Sequence, residues 1–142
     1  MCFCFLSRRE ENEKIINKDV EEKRFADGSL EYYKDSYLHN DKDMPAVVSG
    51  KHKEWWFHGM RHRESDKPAV VYKDNSREWW FHGMRHREND KPAVVLKEES
   101  FNYTFFTMEW WFYGKLHREG SKPAIIRADG TQEYWEYGRR IK

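Results

Sequence analysis

Cysteine is almost missing from this chain: among 142 residues there are two, Cys2 and Cys4, both at the extreme N-terminus. No disulfide framework can staple the body of the fold, and a reducing compartment is the simplest reading. Long apolar runs are missing too. The opening MCFCFL, followed by Ser-Arg-Arg, is too short for a signal-peptide core or a membrane span, and it carries no specific lipidation motif. A soluble intracellular product, or one carried inside a particle, is expected. No sign of charge dominates. Lys and Arg number 26 against 25 Asp and Glu, a net charge of +1, so no strong field favours DNA, an acidic membrane or an acidic substrate. Hydrophobic residues reach 38% and charged ones 36%, which excludes a large aliphatic core. Aromatics are plentiful instead, at 17% with seven Trp, and disordered chains rarely carry so many.

The aromatics recur in register. EWWFHGMRHRESDKPAVV starts at Glu54, EWWFHGMRHRENDKPAVV at Glu78 and EWWFYGKLHREGSKPAII at Glu109. A degraded copy, EYYKDSYLHNDKDMPAVV, starts at Glu31, and a truncated one, EYWEYGRRIK, at Glu133. The glutamates lie 23, 24, 31 and 24 residues apart, and Pro45, Pro68, Pro92 and Pro123 repeat the first three intervals. A unit of about 24 residues is therefore repeated about four and a half times, with a seven-residue insertion in the third interval.

Each unit reads as strand, turn, strand, turn. Pro-Ala-Val-Val is a short β-prone run with proline first, where a missing donor is tolerated. Asp27-Gly28, Asp74-Asn75 and Asp129-Gly130 suit tight turns because both residue types accept positive φ. An aromatic strand follows and ends at Gly59, Gly83, Gly114 or Gly138, with Ser36 in that place in the degraded copy. Alternation puts Trp55, Trp79, Trp110 and Tyr134 on one face with Phe57, Phe81 and Phe112. It puts Trp56, Trp80, Trp111 and Trp135 on the other with His58, His82, Tyr113 and Tyr137. The expected fold is all-β: an elongated, curved antiparallel sheet of tandem hairpins over residues 24–142. Residues 1–23 form a separate segment. Ser7 with Glu10 matches a capping box, and Arg8 to Lys23 suits a short helix that caps the array, or else a charged tail.

Several constellations bear on chemistry. His58 with His62, and His82 with His86, have H-x3-H spacing, but each pair spans a glycine turn and Tyr113 replaces the first histidine in the next copy. No metal and no cofactor are expected. His39, His62, His86 and His117 are read as bonding the turns they follow. Arg63, Arg87 and Arg118 are read as stacking on aromatic rings of the neighbouring unit, with Glu54, Glu78, Glu109 and Glu133 as their ion-pair partners. Arginine beside aromatics also suits single-stranded nucleic acid, which interleaved acids disfavour. Exposed Trp rows also suit sugar rings. No nucleophile elbow, phosphate loop or zinc motif is present, so no catalytic residue is assigned. The asymmetric feature is the insertion at 96–108, LKEESFNYTFFTM. It adds Phe101, Tyr103, Phe105, Phe106 and Met108, read as a lengthened hairpin projecting towards a protein partner; the alternative is a hairpin folded back over an aromatic face.

The pattern W-x-x-G-x-x-H-R-x4-P-A-V-V-x-x-D-G resembles a variant of the MORN repeat, over residues 24–142. This His-Arg, Pro-Ala version is similar to tandem repeats of large DNA viruses and some phages. The resemblance implies curved sheets of successive hairpins used for scaffolding, dimerisation and sometimes lipid binding. Its repeat-defining positions here are Trp55, Trp56, Gly59, His62, Arg63 and Pro68. In the next copy they are Trp79, Trp80, Gly83, His86, Arg87 and Pro92. Then come Trp110, Trp111, Gly114, His117, Arg118 and Pro123, and finally Trp135 and Gly138. Arg63, Arg87 and Arg118 stand where ordinary units have glycine, which argues against lipid binding. The functional expectation is a non-enzymatic scaffold that binds protein, either itself or other virion components, in the host cytoplasm or the virion. The alternative is a regulatory binder of one toxin-like or host protein.

Overall fold

The computed structural model describes residues 19–142. The described residues form no helix. They build one curved, unclosed antiparallel sheet with short two-stranded ribbons rising from it. Ten strands follow one another across the sheet in chain order: Glu21–Arg24, Leu30–Lys34, Val47–Val48, His52–Glu54, Val70–Tyr72, Arg77–Glu78, Val94–Ser100, Tyr103–Glu109, Ile125–Ile126 and Gln132–Glu133. From Val47 on they come in pairs, one from the Pro-Ala-Val-Val run or its Pro-Ala-Ile-Ile equivalent and one ending on the recurring glutamate. The three turns expected at Asp-Gly and Asp-Asn are present. Gly28, Asn75 and Gly130 take φ of 81°, 70° and 85°, and the preceding aspartate accepts the N–H two residues on.

The register makes a continuous row of paired residues. Val47 lies opposite Glu54, which lies opposite Val70, followed by Glu78, Val94, Glu109, Ile125 and Glu133. Aliphatic and acidic side chains thus alternate along one face. Val70, Val94 and Ile125 are buried, and so are Glu54, Glu78 and Glu133. Buried carboxylates need partners, and the aromatic strand supplies them. The Trp56, Trp80, Trp111 and Trp135 indole N–H groups donate to Glu54, Glu78, Glu109 and Glu133 at 2.6, 2.8, 2.8 and 3.0 Å.

The aromatic strand is not continuous, contrary to the alternation argument. The chain leaves the main sheet at Trp55, whose N–H donates to Ala69 O at 2.8 Å, and Trp56–Phe57 pairs back on Met60–Arg61 as a separate ribbon. Period two therefore does not carry from Trp55 to Phe57: Trp55 is 9% exposed and Phe57 is 42%. The same break recurs at Trp79 and Trp110. Each ribbon turns through two residues of positive φ, such as His58 at 46° and Gly59 at 77°. Glycine is needed at position 59 for a second reason. A Cβ there would come within 3.0 Å of the Tyr37 ring, because the ribbons stack turn on turn. Gly59, Gly83, Gly114 and Gly138 N–H donate to the carbonyls of Leu38, Arg61, Arg85 and Leu116 in the preceding copy.

The N-terminal expectation needs correction over its described end. Residues 1–18, with Ser7, Glu10 and most of the expected helix, lie outside the described residues. Glu21–Arg24, however, is a strand paired residue for residue with Leu30–Tyr33 through the Asp27-Gly28 turn, so the sheet begins before residue 24. Tertiary pairing overrides the helix propensity of Glu-Glu-Lys-Arg. An edge strand made wholly of exposed charges also discourages further pairing on that side.

Candidate functional site

Three equivalent clamps join successive copies. Asp43 of the first copy accepts from Arg63 at 2.6 Å and Lys67 at 2.6 Å, and its carbonyl accepts from the Trp55 indole at 3.0 Å. Asp66 repeats this with Arg87, Lys91 and Trp79, and Asp90 with Arg118, Lys122 and Trp110. Each arginine also donates to the carbonyl of Pro68, Pro92 or Pro123 at 3.2 Å. Arg63, Arg87 and Arg118 lie 3.7 Å over the rings of Trp55, Trp79 and Trp110.

This corrects two expectations. These arginines stack on the tryptophan of their own copy, and their acidic partner is the aspartate two residues before the preceding copy's proline. Two of the recurring glutamates pair instead with Arg61 and Arg85, two positions earlier: Glu54 holds Arg61 at 3.0 and 3.1 Å, and Glu78 holds Arg85 at 3.2 Å, while Glu133 pairs with Arg127. Arg61 and Arg85 perform the expected stacking between copies. Arg61 lies 5.0 Å from Trp56 and 5.2 Å from Trp80; Arg85 lies 5.1 Å from Trp80 and 5.2 Å from Trp111. The aspartates and these arginines were missed. Their signal was their recurrence in register, the aspartates two residues before proline and the arginines in Met-Arg-His-Arg.

The histidines also bond forward rather than back. The ring Nδ1 of His39, His62, His86 and His117 accepts from the turn N–H of His58, His82, Tyr113 and Tyr137 in the next copy, at 3.2 to 3.4 Å. His62 stacks on His82 at 4.1 Å, His86 on Tyr113 at 3.9 Å and His117 on Tyr137 at 4.0 Å. On the other nitrogen, His39, His62 and His86 meet Asp41, Glu64 and Glu88 at 2.8 Å. An accepting Nδ1 makes Nε2 the protonated nitrogen in these three rings. Among the described residues no group of three or more His, Cys, Asp or Glu is placed to hold a metal ion.

The clamp aspartates have a consequence for acid stability. Hydrogen bonds from Arg and Lys pull the carboxyls of Asp43, Asp66 and Asp90 from 3.8 down to about 2. A depressed carboxyl contributes stability that is present above its unfolded value and is lost as pH falls through its folded value. The melting temperature is therefore expected to drop between about pH 4 and pH 2. The Asp43→Asn, Asp66→Asn, Asp90→Asn variant should be less stable at neutral pH and flatter across that interval. The carboxylates are about two-fifths exposed, so added salt should weaken the effect. An unchanged acid limb in the triple variant would remove the clamps from the account.

Two kinds of aromatic surface remain outside this machinery. Phe57, Phe81 and Phe112 are exposed along the ribbon row, beside Met60 and Met84. The insertion forms the second: Val94–Ser100 and Tyr103–Glu109 pair from Val94↔Glu109 to Ser100↔Tyr103, with Phe101-Asn102 at the tip. Phe101 is fully exposed, Tyr103 is 70% exposed, and Phe105 and Phe106 are also exposed. Met108 is half-buried, opposite Val95. The neighbouring strands accompany this hairpin only at its base, through Val94–Val95 on one side and Met108–Glu109 on the other. At the base, Thr107 is buried and its hydroxyl accepts from Ala128 N–H at 3.1 Å, as Ser76 accepts from Lys97 N–H at 2.9 Å one copy earlier. No described helix is long and apolar enough to cross a membrane.

Comparison with family models, curated proteins and solved structures finds no match to this chain.

Proposed function

We propose that this chain is a non-enzymatic repeat scaffold of MORN-like type that binds protein through the hairpin at 96–108, as a structural or assembly component of a virus particle. The observation that carries the reading is the exposed aromatic cluster Phe101, Tyr103, Phe105 and Phe106 on a hairpin that projects past its neighbours. Large aromatics standing in water are characteristic of partner contacts. The recurring polar side chains support the same reading from the other side. Asp43, Arg63, Lys67, His62 and Glu54, with their equivalents, bond within and between copies, as residues that serve a repeat should. The inner Trp faces lie under guanidinium groups, which leaves them unsuited to stacking on a sugar or a base.

Replacing Leu96–Met108 by the link of the preceding copy, Tyr-Lys-Asp-Asn-Ser-Arg, tests the proposal. The link's serine stands where Ser76 stands, so it supplies a hydroxyl to accept from Ala128 N–H in place of Thr107. Shortening a loop whose ends stay close changes stability little, so the thermal melt should be retained. Affinity for the partner should fall by about 2 kcal/mol or more, as when a hot spot is removed. A shortened chain that unfolds under conditions where its parent is stable would make the hairpin part of the core and end the arm reading.

A further inference from the structure

The projecting hairpin has one edge that no described strand covers. Glu109 O accepts from Ala93 N–H on one side, while Trp110 N–H donates to Ala124 O on the other. Backbone groups of a strand alternate in direction. Those of Tyr103, Phe105 and Thr107 therefore face the paired strand Val94–Ser100, and those of Thr104 and Phe106 face away from it. Pairing with Ile125–Ile126 stops at Met108, so Thr104 and Phe106 have no described strand beside them. The other described edges of the main sheet are blunted. Glu21–Arg24 is wholly charged and exposed. The hairpin's opposite strand carries Lys97, Glu98 and Glu99. At the far end, Gln132–Glu133 is two residues long, and the chain folds back beside it through Ile141 N–H to Tyr134 O at 2.9 Å. Among these described edges of the main sheet, only Tyr103-Thr104-Phe105-Phe106-Thr107 has no charge and no proline.

We infer that this edge is a strand-addition site whose occupant is a second copy of the chain, the two Tyr103–Thr107 segments pairing antiparallel about a two-fold axis. The inference rests on the proposed role of the hairpin as the interaction arm and names its partner and mode. Three observations select a second copy. The segment is uncharged along its whole edge, so two copies meet without like-charge contact, whereas the Lys-Glu-Glu strand would not suit such a pairing. An isologous antiparallel pair lets Thr104 and Phe106 of each copy serve as both donor and acceptor. Tyr103 and Phe105 lie on one face of the hairpin, their rings 6.2 Å apart, with Phe106 on the other face. Joining two hairpins makes a four-stranded sheet that sets the two Phe105 side chains beside each other on one face and each Phe106 beside the other copy's Thr104 on the other, where a lone two-stranded ribbon is marginal in water.

Sedimentation velocity of the full chain over a concentration series tests this, with two proline variants on one rung of the ladder, since Thr104 pairs with Glu99. Both N–H groups point out of the hairpin, so Thr104→Pro and Glu99→Pro each spare the ladder within it, and circular dichroism and melting should match the parent. The parent should pass from monomer to dimer with rising concentration. Thr104→Pro removes one donor per copy and should weaken the dimer about tenfold or more, while Glu99→Pro should dimerise like the parent. Equal weakening by both variants, or by neither, overturns the edge assignment. So does a parent that stays monomeric, or one that dimerises undiminished with the shortened link. A monomeric parent that binds another protein through residues 96–108 would overturn this inference while leaving the proposed function standing.

Discussion

Trp79→Ala is expected to destabilise the array by about 3–5 kcal/mol in urea or thermal melts, as deletion of a buried tryptophan does. Trp79 sits in a middle copy and is 7% exposed. Its indole N–H donates to Asp66 O at 3.0 Å, and the Arg87 guanidinium lies 3.7 Å over its ring. Truncation leaves a cavity, an unmatched carbonyl and an arginine without its platform. It also loosens Asp66, which orients Arg87 and Lys91. Trp135→Ala should cost less, about 1–2 kcal/mol. In the last copy Tyr134 replaces the clamp tryptophan, Lys142 the arginine and Ser121 the aspartate, so that junction has no equivalent clamp. Leu116 stands where Arg61 and Arg85 stand, so no guanidinium from that position lies between Trp111 and Trp135. Because repeats contact only their neighbours, loss at the middle junction should also uncouple the two halves and broaden the transition. Equal losses from the two variants would remove the junctions as the main source of stability.

The strands and turns could be read from the residues because each is set locally. Pro-Ala-Val-Val, Asp-Gly and the glycine turns impose their geometry within four or five residues, and copies in register place them side by side. Three features were set by contacts farther apart in the chain instead. The aromatic strand breaks at Trp55 because its N–H is taken by Ala69, 14 residues on. Met-Arg-His-Arg contains two arginines with different acids: Arg61 reaches Glu54 on the buried row, while Arg63 reaches Asp43 across 20 residues. Recurrence alone marks both as structural and does not say which acid each holds. The histidine case is similar. Its spacing from a turn suggested a local bond, but stacked copies bring the next turn's N–H closer, and His62 accepts from His82. At the insertion, an aromatic run without repeat partners was visible from composition, whereas its open edge at Thr104 and Phe106 follows only from the pairing register.

The buried acidic row leads to a second large effect. Glu54→Ala is expected to cost about 2–4 kcal/mol, and Glu109→Ala clearly less. Glu54 is 7% exposed and serves two donors, Trp56 Nε1 at 2.6 Å and Arg61 through both carboxylate oxygens at 3.0 and 3.1 Å, with His52 Nε2 lying 3.2 Å away. Removing it leaves a half-buried guanidinium and an indole N–H without an acceptor, and the cost of such a change lies mainly in the stranded partners. Glu109 occupies the equivalent place with Trp111 as its donor, at 2.8 Å, but Leu116 stands where Arg61 would be. Its deletion strands no cation at that position. Arg61→Leu should partly rescue Glu54→Ala, because it removes the unpaired charge and recreates the leucine found in the later copy. A double-mutant cycle across Glu54 and Arg61 reads this as a coupling energy of about 1–2 kcal/mol. A coupling near zero, with Glu54→Ala no worse than Glu109→Ala, would mean that the row is held by its valines alone and that the carboxylates are bystanders.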